Sequence, residues 1–296
     1  MIRQLNVSMS GIGDRILDIL LVSTLAKIKN TNLISIWKNP LIENDEYSVL
    51  RPTFRLYDCL YENMIKYINF PSNVTVLPEN NNIIIDNNND FLFDTYLGGS
   101  YSPFTFYDKF IKNNYNITIN DYLLIYFEQS KQLTFNIVSN NIIPPDIITI
   151  HLRRTDKVCN QTGTHNISYN ELDQLNNKTH RIIDKLIQDG YTSFYFCGDD
   201  SSVVQNYVSH YEKIINIITY DYDKDNIMKT YLDLYVISLS NIIVLSQRHS
   251  NFSLLGSLIN KNKLIYLYDD DMIHNLYKGL DHLIYFNDFF DSLDSD

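Results

Sequence analysis

The sequence predicts an α/β protein whose sheets are parallel and doubly wound. Short apolar runs alternate with helical patterns along the second half of the chain, and this alternation is typical of parallel strands covered by helices. The chain opens with the same strand–helix–strand order. At 296 residues it is long enough for two domains of ordinary size. Pro144 and Pro145 interrupt the pattern, which predicts a boundary between a domain at 1-145 and a domain at 146-296.

The first predicted unit is a strand, a glycine-containing turn, a helix and a second strand. These elements are predicted over residues 2–7, 8–14, 15–29 and 33–37. Apolar residues recur at helical spacing along the helix. Gly11 and Gly13 let the backbone of the turn approach a ligand, and the helix start presents N–H groups to an anion. The same glycines also suit a turn for steric reasons alone, so both interpretations stay open.

Residues 40–145 show weaker patterns than the rest of the chain. Helices are predicted there over residues 55–67 and 122–133, short strands over 74–77, 83–85 and 91–93, and an aromatic loop over 96–106. In the second half, strands are predicted over 147–150, 194–197, 214–219, 242–245 and 263–268, and helices over 168–189, 202–211, 225–239 and from 250 onward. Gly190 marks the end of the first of these helices.

Composition and charge exclude several classes of protein. The formal net charge is -11, which argues against nucleic acid or an anionic membrane as the main partner. Cys59, Cys159 and Cys197 show no CxxC or Cys/His spacing, so we expect free thiols in a reducing compartment rather than a zinc site or a disulfide framework. Charged residues interrupt the apolar N-terminal segment. We therefore expect no membrane span and a soluble, cytoplasmic protein.

The strand predicted at residues 147–150 runs directly into the charged segment His151-Leu-Arg-Arg-Thr-Asp-Lys157. In open α/β sheets, ligands bind outside the carboxyl ends of the strands. Guanidinium groups match phosphate oxygens bidentately and keep their charge, so Arg153 and Arg154 favour an anion site in a protein this acidic. Ion pairs with Asp199 and Asp200 at the neighbouring strand end are the structural alternative.

Three further segments carry polar residues where strands end or helices begin. Asp199 and Asp200 follow the strand at 194–197 and are also good helix N-caps. Asp233 lies on the helix predicted at 225–239, either partly buried or as an ordinary exposed residue. A helix opens with Ser250, Asn251, Phe252 and Ser253. Such a start is a ready anion site, and it is also an ordinary capping sequence.

Together these segments resemble a known enzyme family. The segment from His151 to Lys157 resembles the His-x-Arg-Arg-x-Asp motif of the α1,6-, α1,2- and protein-O-fucosyltransferases, and its Thr-Asp-Lys ending is most similar to the α1,6 branch. The segment from Phe194 to Asp200 resembles the second motif of the family. Asp233 to Ile243, followed by Ser250 to Ser257, resembles the third. With the Gly-x-Gly start, the motifs come in the family's order over about residues 11–260.

The resemblance implies a GT-B fold, in which two Rossmann-like domains face each other across a cleft. Residues 1-145 would form the acceptor side and 146-296 would bind the nucleotide sugar. It also implies an inverting, metal-independent transfer of fucose from GDP-fucose to a glycan acceptor, with no cofactor. Arg153 and Arg154 are implied as the catalytic residues. Donor-binding positions are implied at Gly11, Gly13, Asp14, His151, Arg153, Asp156, Asp199, Asp200, Asp233, Ser250, Asn251, Phe252 and Ser253.

Individual roles follow from the same resemblance. Arg153 would bind the β-phosphate, while His151 and Asp233 would contact the guanosine. The two helix starts, at Gly11 to Gly13 and at Ser250 to Ser253, would add backbone N–H groups around the diphosphate.

The chain departs from the family where a general base is expected. In the α1,6 branch a carboxylate follows the Asp-Lys pair, and here Cys159-Asn160-Gln161 stands in that place. Glu171, Asp156 and Asp14 are the nearest alternatives, and none is assigned. The acidic run from Asp221 to Asp225 is expected to cap the next helix rather than to hold a cation. Two alternative functions stay open: transfer of another sugar, and binding of GDP or glycan without turnover.

Overall fold

The computed structural model describes residues 1–6, 11–40, 58–79, 91–93, 102–137, 143–154, 167–219, 226–247, 250–268 and 280–291. The chain divides into two compact units. One contains residues 1–137 and 225–231, and the other contains 138–224 and 232–296.

The first unit contains a four-stranded parallel sheet and a short antiparallel pair. Its strands are β1 (Ile2–Asn6), β2 (Leu33–Trp37), β3 (Ile68–Asn69), β4 (Val74–Pro78), β5 (Phe91–Phe93) and β6 (Thr134–Phe135). Its helices are α1 (Ile12–Ile28), α2 (Tyr61–Tyr67), α3 (Pro103–Phe106), which continues into a π-helical turn at Tyr107–Ile111, and α4 (Ile119–Lys131). The parallel sheet has the order β4-β2-β1-β5, and β3 pairs with β6.

Helix α1 begins earlier than the sequence pattern predicts. The predicted turn at residues 8–14 includes Gly13 and Asp14, which lie within the first turn of α1. The Asp14 carboxylate accepts a hydrogen bond from the Gly11 N–H group at 3.1 Å. This bond satisfies an N–H group at the helix start, which extends the helix to Ile12. Because α1 is buried around most of its surface, it is an interior helix rather than an amphipathic one.

The second unit is built on a six-stranded parallel sheet. Its strands are β7 (Ile148–Leu152), β8 (Ser193–Gly198), β9 (Asn216–Ile217), β10 (Ile242–Ser246), β11 (Lys263–Tyr266) and β12 (Leu283–Tyr285). Its helices are α5 (Tyr169–Gln188), α6 (Ser201–Tyr211), α7 (Asn226–Leu239), whose first residues belong to the other unit, α8 (Asn251–Asn260) and α9 (Phe286–Asp291).

The strand order β12-β11-β10-β7-β8-β9 makes β7 and β10 the centre of this sheet. Numbered along the chain from β7, the order is 3-2-1-4-5-6, that of a doubly wound sheet. The direction of winding reverses between β7 and β10, where Leu152 pairs with Ser246. Ligands of such sheets bind in the crevice at this reversal. The predicted α/β class with parallel sheets is therefore confirmed, and the charged segment after β7 begins at the reversal.

Most of the predicted elements in the described parts of the chain are present with shifted ends. Helix α4 begins at Ile119 instead of residue 122, because Thr118 caps it by accepting the Asp121 N–H group at 3.2 Å. The pattern did not predict β12, α9, α3 or the short pair β3 and β6. The strand predicted at 83–85 and most of the aromatic loop predicted at 96–106 lie outside the described residues.

The described residues include two of the three cysteines and most of the predicted helices. Cys59 and Cys197 are buried free thiols, as predicted, and Cys159 lies outside the described residues. No helix in the described part of the chain is long and apolar enough to cross a membrane.

Gly198 allows β7 and β8 to come unusually close where both strands end. A Cβ atom on Gly198 would lie 2.1 Å from the carbonyl oxygen of Leu152 and 3.0 Å from its carbonyl carbon. Those atoms belong to the backbone, so they cannot rotate away as a side chain would. Only glycine fits this position without moving the strand that carries His151.

We expect Gly198→Ala to lower the free energy of unfolding by about 1–3 kcal/mol, because the added methyl group overlaps the backbone of β7. Urea unfolding measured by circular dichroism gives this value. Ser193→Ala, at the start of the same strand, is the matched control and should cost less. Wild-type stability in Gly198→Ala would contradict the close approach of the two strands.

Candidate functional site

His151 connects the end of β7 to the start of α8. It is the fourth residue of β7 and only 7% exposed. Its Nδ1 atom lies 2.5 Å from the Ser253 hydroxyl oxygen, and its ring centroid lies 5.7 Å from that of Phe252. The first and third predicted motifs therefore meet in the structure. The bond to Ser253 also fixes the orientation of the imidazole ring.

The start of α8 has the geometry of an anion-binding helix N-terminus. Ser250 is fully buried and is the N-cap, and its hydroxyl accepts a hydrogen bond from the Ser253 N–H group at 3.5 Å. Asn251 and Phe252 are half-buried in the first turn. The first turn of a helix carries N–H groups without helical partners and the positive end of the helix dipole. A phosphate group is favoured at such a position.

Arg154 is directed into the interior of the second unit and is 6% exposed. Its Nη1 atom donates to the backbone oxygens of Ser246 and of Arg153, the latter at 3.2 Å. Its Nη2 atom donates to the Ser246 hydroxyl at 2.7 Å and to the Asn176 side-chain oxygen at 3.0 Å. Burial lowers the pKa of this guanidinium from its ordinary value. Arg154 thus joins the ends of β7 and β10 to helix α5.

The hydrogen-bond network around Arg154 extends through α5 and α6. The Thr179 hydroxyl lies 2.6 Å from that of Ser246 and donates to the Leu175 carbonyl at 2.7 Å. The Tyr207 hydroxyl donates to the side-chain oxygen of Asn176 at 3.3 Å. A buried guanidinium is stable only when such groups replace its hydration. We define Arg154, Asn176, Thr179 and Ser246 as the Arg154 network.

Arg153 differs from its neighbour, since its side chain is only half-buried. Its backbone oxygen is held by the Arg154 guanidinium. The Arg154 N–H group donates to the Asp199 carboxylate at 2.6 Å, at the end of β8. The carbonyl and the N–H group of the Arg153–Arg154 peptide are therefore both hydrogen-bonded, and the peptide is held at the end of the sheet.

Asp200 has a structural role that the sequence analysis left as an alternative. It is the N-cap of α6, and its carboxylate accepts hydrogen bonds from the N–H groups of Ser202, at 2.9 Å, and Val203, at 3.3 Å. The Ser202 hydroxyl donates to the same oxygen at 2.6 Å. These bonds, that of the hydroxyl first, lower the pKa of the Asp200 carboxyl. Asp200 therefore holds the start of α6.

Asp233 lies on α7 and is 7% exposed, in agreement with the predicted partial burial. The Tyr195 hydroxyl, from β8, donates to its carboxylate at 2.5 Å. A buried carboxylate needs such a donor to replace water. The bond orients Asp233 from the neighbouring strand.

Gly11, Gly13 and Asp14 belong to the first unit, at the start of α1. Arg15 follows them and is fully buried, with its guanidinium 3.7 Å from the centroid of the Trp37 ring. It donates to the carbonyl of Cys59 at 3.3 Å and to that of Lys38 at 2.5 Å. Burial lowers the pKa of Arg15 to about 10. This buried arginine anchors the helix start and was not identified as a site residue from the sequence.

The candidate bases have different positions. Glu171 forms a capping box at the start of α5 and accepts the Ser168 N–H group at 2.7 Å. The Tyr268 hydroxyl donates to the other oxygen of Glu171 at 2.5 Å, so this carboxylate has structural partners on both oxygens. Asp14 accepts the Gly11 N–H group. Asp156 lies outside the described residues.

Further predicted positions lie outside the described residues as well. They are Lys157, the segment Cys159-Asn160-Gln161 and the acidic run from Asp221 to Asp225. Within the described ranges, no three His, Cys, Asp or Glu side chains are grouped closely enough to hold a metal ion.

Sequence reasoning missed Asn176, Thr179 and Ser246, the partners of Arg154. One signal was available in α5. Its buried face is otherwise apolar, with Leu175, Ile182 and other apolar residues, and Thr179 is a fully buried polar residue within it. A polar residue on an apolar helix face indicates a buried polar partner elsewhere in the chain.

Comparison with known proteins identifies similar folds and no family. No protein-family model and no curated protein matches the chain. NodZ α-1,6-fucosyltransferase co-crystallised with GDP is 12% identical, with a TM-score of 0.49, over 90% of this chain and 94% of that one. NodZ from Bradyrhizobium is 11% identical, with a TM-score of 0.48, over 87% and 93%. The apo-form of POFUT1 is 12% identical, with a TM-score of 0.48, over 90% and 97%. At these identities and TM-scores the likeness carries no evidence about the function of this chain.

The different environments of the two arginines predict different effects on stability. Arg154→Met should lower the free energy of unfolding by about 1–3 kcal/mol, because it removes the guanidinium that donates to the buried backbone and hydroxyl oxygens of Ser246. Arg153→Met is the matched control, and its half-buried side chain should cost clearly less. Denaturant unfolding of the two variants measures the difference. Equal losses would contradict the interior position of Arg154.

Proposed function

We propose that the protein is an inverting, metal-independent glycosyltransferase that transfers fucose from GDP-fucose to a glycan acceptor. The observation that carries this proposal is the meeting of three motif segments at one edge of a parallel sheet. His151 bonds to Ser253, and the Arg154 N–H group bonds to Asp199. These residues come from the ends of β7 and β8 and from the start of α8. Their sequence motifs resemble those of the fucosyltransferases in the same order.

The diphosphate of the donor would bind between Arg153 and the start of α8. Arg153 supplies a guanidinium that pairs bidentately with the β-phosphate. The α8 N-terminus, capped by Ser250, adds backbone N–H groups and the helix dipole. Both are positive elements in a chain with a net charge of -11, so they concentrate the attraction for an anion locally.

Arg154 would act by positioning Arg153 rather than by touching the donor. Its guanidinium is enclosed by the Arg154 network and holds the Arg153 carbonyl. The sequence resemblance assigned a catalytic role to both arginines. Burial and hydrogen bonding support a division of labour in which Arg154 fixes the backbone and Arg153 meets the phosphate.

Cleavage of the bond between fucose and GDP is favoured by a cation held next to the β-phosphate. Breaking the bond between fucose and phosphate develops negative charge on GDP, and a fixed guanidinium stabilises that charge as it forms. Arg153 would do so without a divalent ion. Inversion follows when the acceptor hydroxyl attacks the anomeric carbon from the face opposite to GDP, with a base accepting its proton. Of the three candidate bases, Asp156 is nearest to Arg153 in sequence.

The guanosine would be bound by His151 and Asp233. Both are buried and held by a neighbouring hydroxyl, His151 by Ser253 and Asp233 by Tyr195. Side chains oriented before the ligand arrives lose little freedom on binding. Gly11, Gly13 and Asp14 would contribute from the N-terminal domain, at residues 1-145, across the cleft of a GT-B fold.

Arg153→Ala should lower the turnover of fucose transfer by roughly 100-fold or more, because the leaving group loses its charge stabilisation. Initial rates of GDP release at saturating GDP-fucose measure the loss. Arg181→Ala, which removes an exposed arginine on α5, is the control and should keep normal turnover. Near-normal turnover in Arg153→Ala would contradict the assignment.

Donor titrations distinguish fucose from other donor sugars. They are needed because contacts to guanosine and phosphate do not recognise the hexose. Calorimetry should show tighter binding of GDP-fucose than of GDP-mannose or UDP-sugars. A preference for UDP-sugars would contradict a GDP-fucose transferase. Tight GDP binding without donor hydrolysis or transfer to a panel of glycans would instead indicate a binding protein. The hydrogen-bonded states of Glu171 and Asp14 are the observation behind that alternative.

A further inference from the structure

Gln247 is a buried amide without hydrogen bonds at the reversal point of the second sheet. It follows the last residue of β10, is fully buried, and has no hydrogen-bond partner for either its Nε2 or its Oε1 atom among the described residues. Leu152 at the end of β7 pairs with Ser246 at the end of β10, so the residues that follow these two strands are Arg153 and Gln247. Ser250, the N-cap of α8, is three residues further along.

An unpaired amide at this place needs an explanation. Burying a polar group without a partner costs free energy, and folded proteins contain few such groups. The surrounding polar side chains do have partners. The Ser246 hydroxyl bonds to Arg154 and Thr179, and the His151 ring bonds to Ser253. Arg154 Nε is also without a partner among the described residues, but the two Nη atoms of that guanidinium are bonded, whereas neither end of the Gln247 amide is.

We propose that Gln247 hydrogen-bonds the nucleotide sugar itself, and this inference rests on the proposed function. An amide offers two donors on Nε2 and an acceptor on Oε1. A phosphate group has only acceptors, so it would leave Oε1 unpaired. The matching chemistry is a group with both a donor and an acceptor: the amide edge of guanine, or neighbouring hydroxyls of ribose or fucose.

This role complements that of Arg153, which follows β7 as Gln247 follows the neighbouring strand β10. Arg153 would neutralise the diphosphate, and Gln247 would recognise a neutral part of the same molecule. Gln247 is fully buried, so a ligand reaches it only by displacing the atoms that cover it. New hydrogen bonds to both ends of the amide would offset that cost.

The test replaces Gln247 by Met, which has a similar volume and no polar amide. The unfolding midpoint of the ligand-free protein should stay the same or rise, because two unpaired polar atoms are removed from the interior. The dissociation constants of GDP and GDP-fucose are then measured by calorimetry. Weakening by about tenfold is expected for at least one of them, the loss of two ordinary hydrogen bonds. Gln247→Leu is measured alongside, so that an effect of poor packing of the Met or the Leu side chain is distinguished from the loss of the amide.

The two ligands locate the contact. Weaker binding of both GDP and GDP-fucose indicates the guanine or the ribose, and weaker binding of GDP-fucose alone indicates the fucose. Gln129→Met is the matched control, because Gln129 is 1% exposed and its Oε1 has no partner among the described residues. Its position on α4 of the first unit predicts unchanged affinity for both ligands.

Each other result overturns the inference. Unchanged affinities in both Gln247 variants, with wild-type binding intact, reject the contact and leave the proposed function standing. A lowered unfolding midpoint in both variants indicates a hydrogen bond within the protein and also rejects it. Failure of the wild-type protein to bind GDP or GDP-fucose rejects the proposed function and this inference together.

Discussion

Burial of the Arg154 guanidinium is the interaction on which the carboxyl edge of the second sheet depends. A charge removed from water must gain hydrogen bonds inside the protein, and Arg154 gains them from Ser246 and Asn176. Those partners come from β10 and α5, and its own N–H group reaches Asp199 after β8. Through its side chain and its backbone N–H group, this one residue therefore connects the ends of β7, β8 and β10. Bonds in the interior of the unit therefore hold the geometry at this edge.

The burial of Arg154 also explains how two adjacent arginines can have different roles: Arg154 holds the backbone from which the Arg153 side chain extends. Arg153 is half-buried, and a side chain whose backbone is not held in place would lose conformational entropy on binding an anion. The bond from Arg154 to the Arg153 carbonyl would remove part of that cost in the proposed complex with the donor. Gly198 contributes to the same result, because its missing side chain lets β8 come close to Leu152. The hydrogen bonds of Arg154 and the close packing at Gly198 thus hold the Arg153 backbone, and with it the charged side chain, at the end of β7.

Sequence patterns predicted the parallel sheets and the places where polar segments follow strands. The apolar run before His151 and the cap at Ser250 were sufficient for this, because strands and helix starts leave local signals. The different fates of Arg153 and Arg154 left no such signal, since the two residues are chemically identical neighbours. The partners that decide between them, such as Ser246, are distant along the chain. The short strand β12 and helix α9 were missed because three apolar residues are too few for a clear period.

In the candidate site, too, local features could be predicted from the sequence and contacts between distant segments could not. The contact between His151 and Ser253 joins segments about a hundred residues apart, and only their motif resemblance suggested it. Asp200 shows the opposite case, in which the plain capping interpretation of the sequence is the one that the structure contains. Gln247 had no signal at all, because a single glutamine in a loop is ordinary until its burial is known.

A crystal structure of the protein with GDP bound tests the central claim most directly. We expect the diphosphate within hydrogen-bonding distance of the Arg153 guanidinium and of the N–H groups at the start of α8, with Arg154 still bonded to Ser246. A diphosphate bound elsewhere, with Arg153 making no contact to it, would contradict the account.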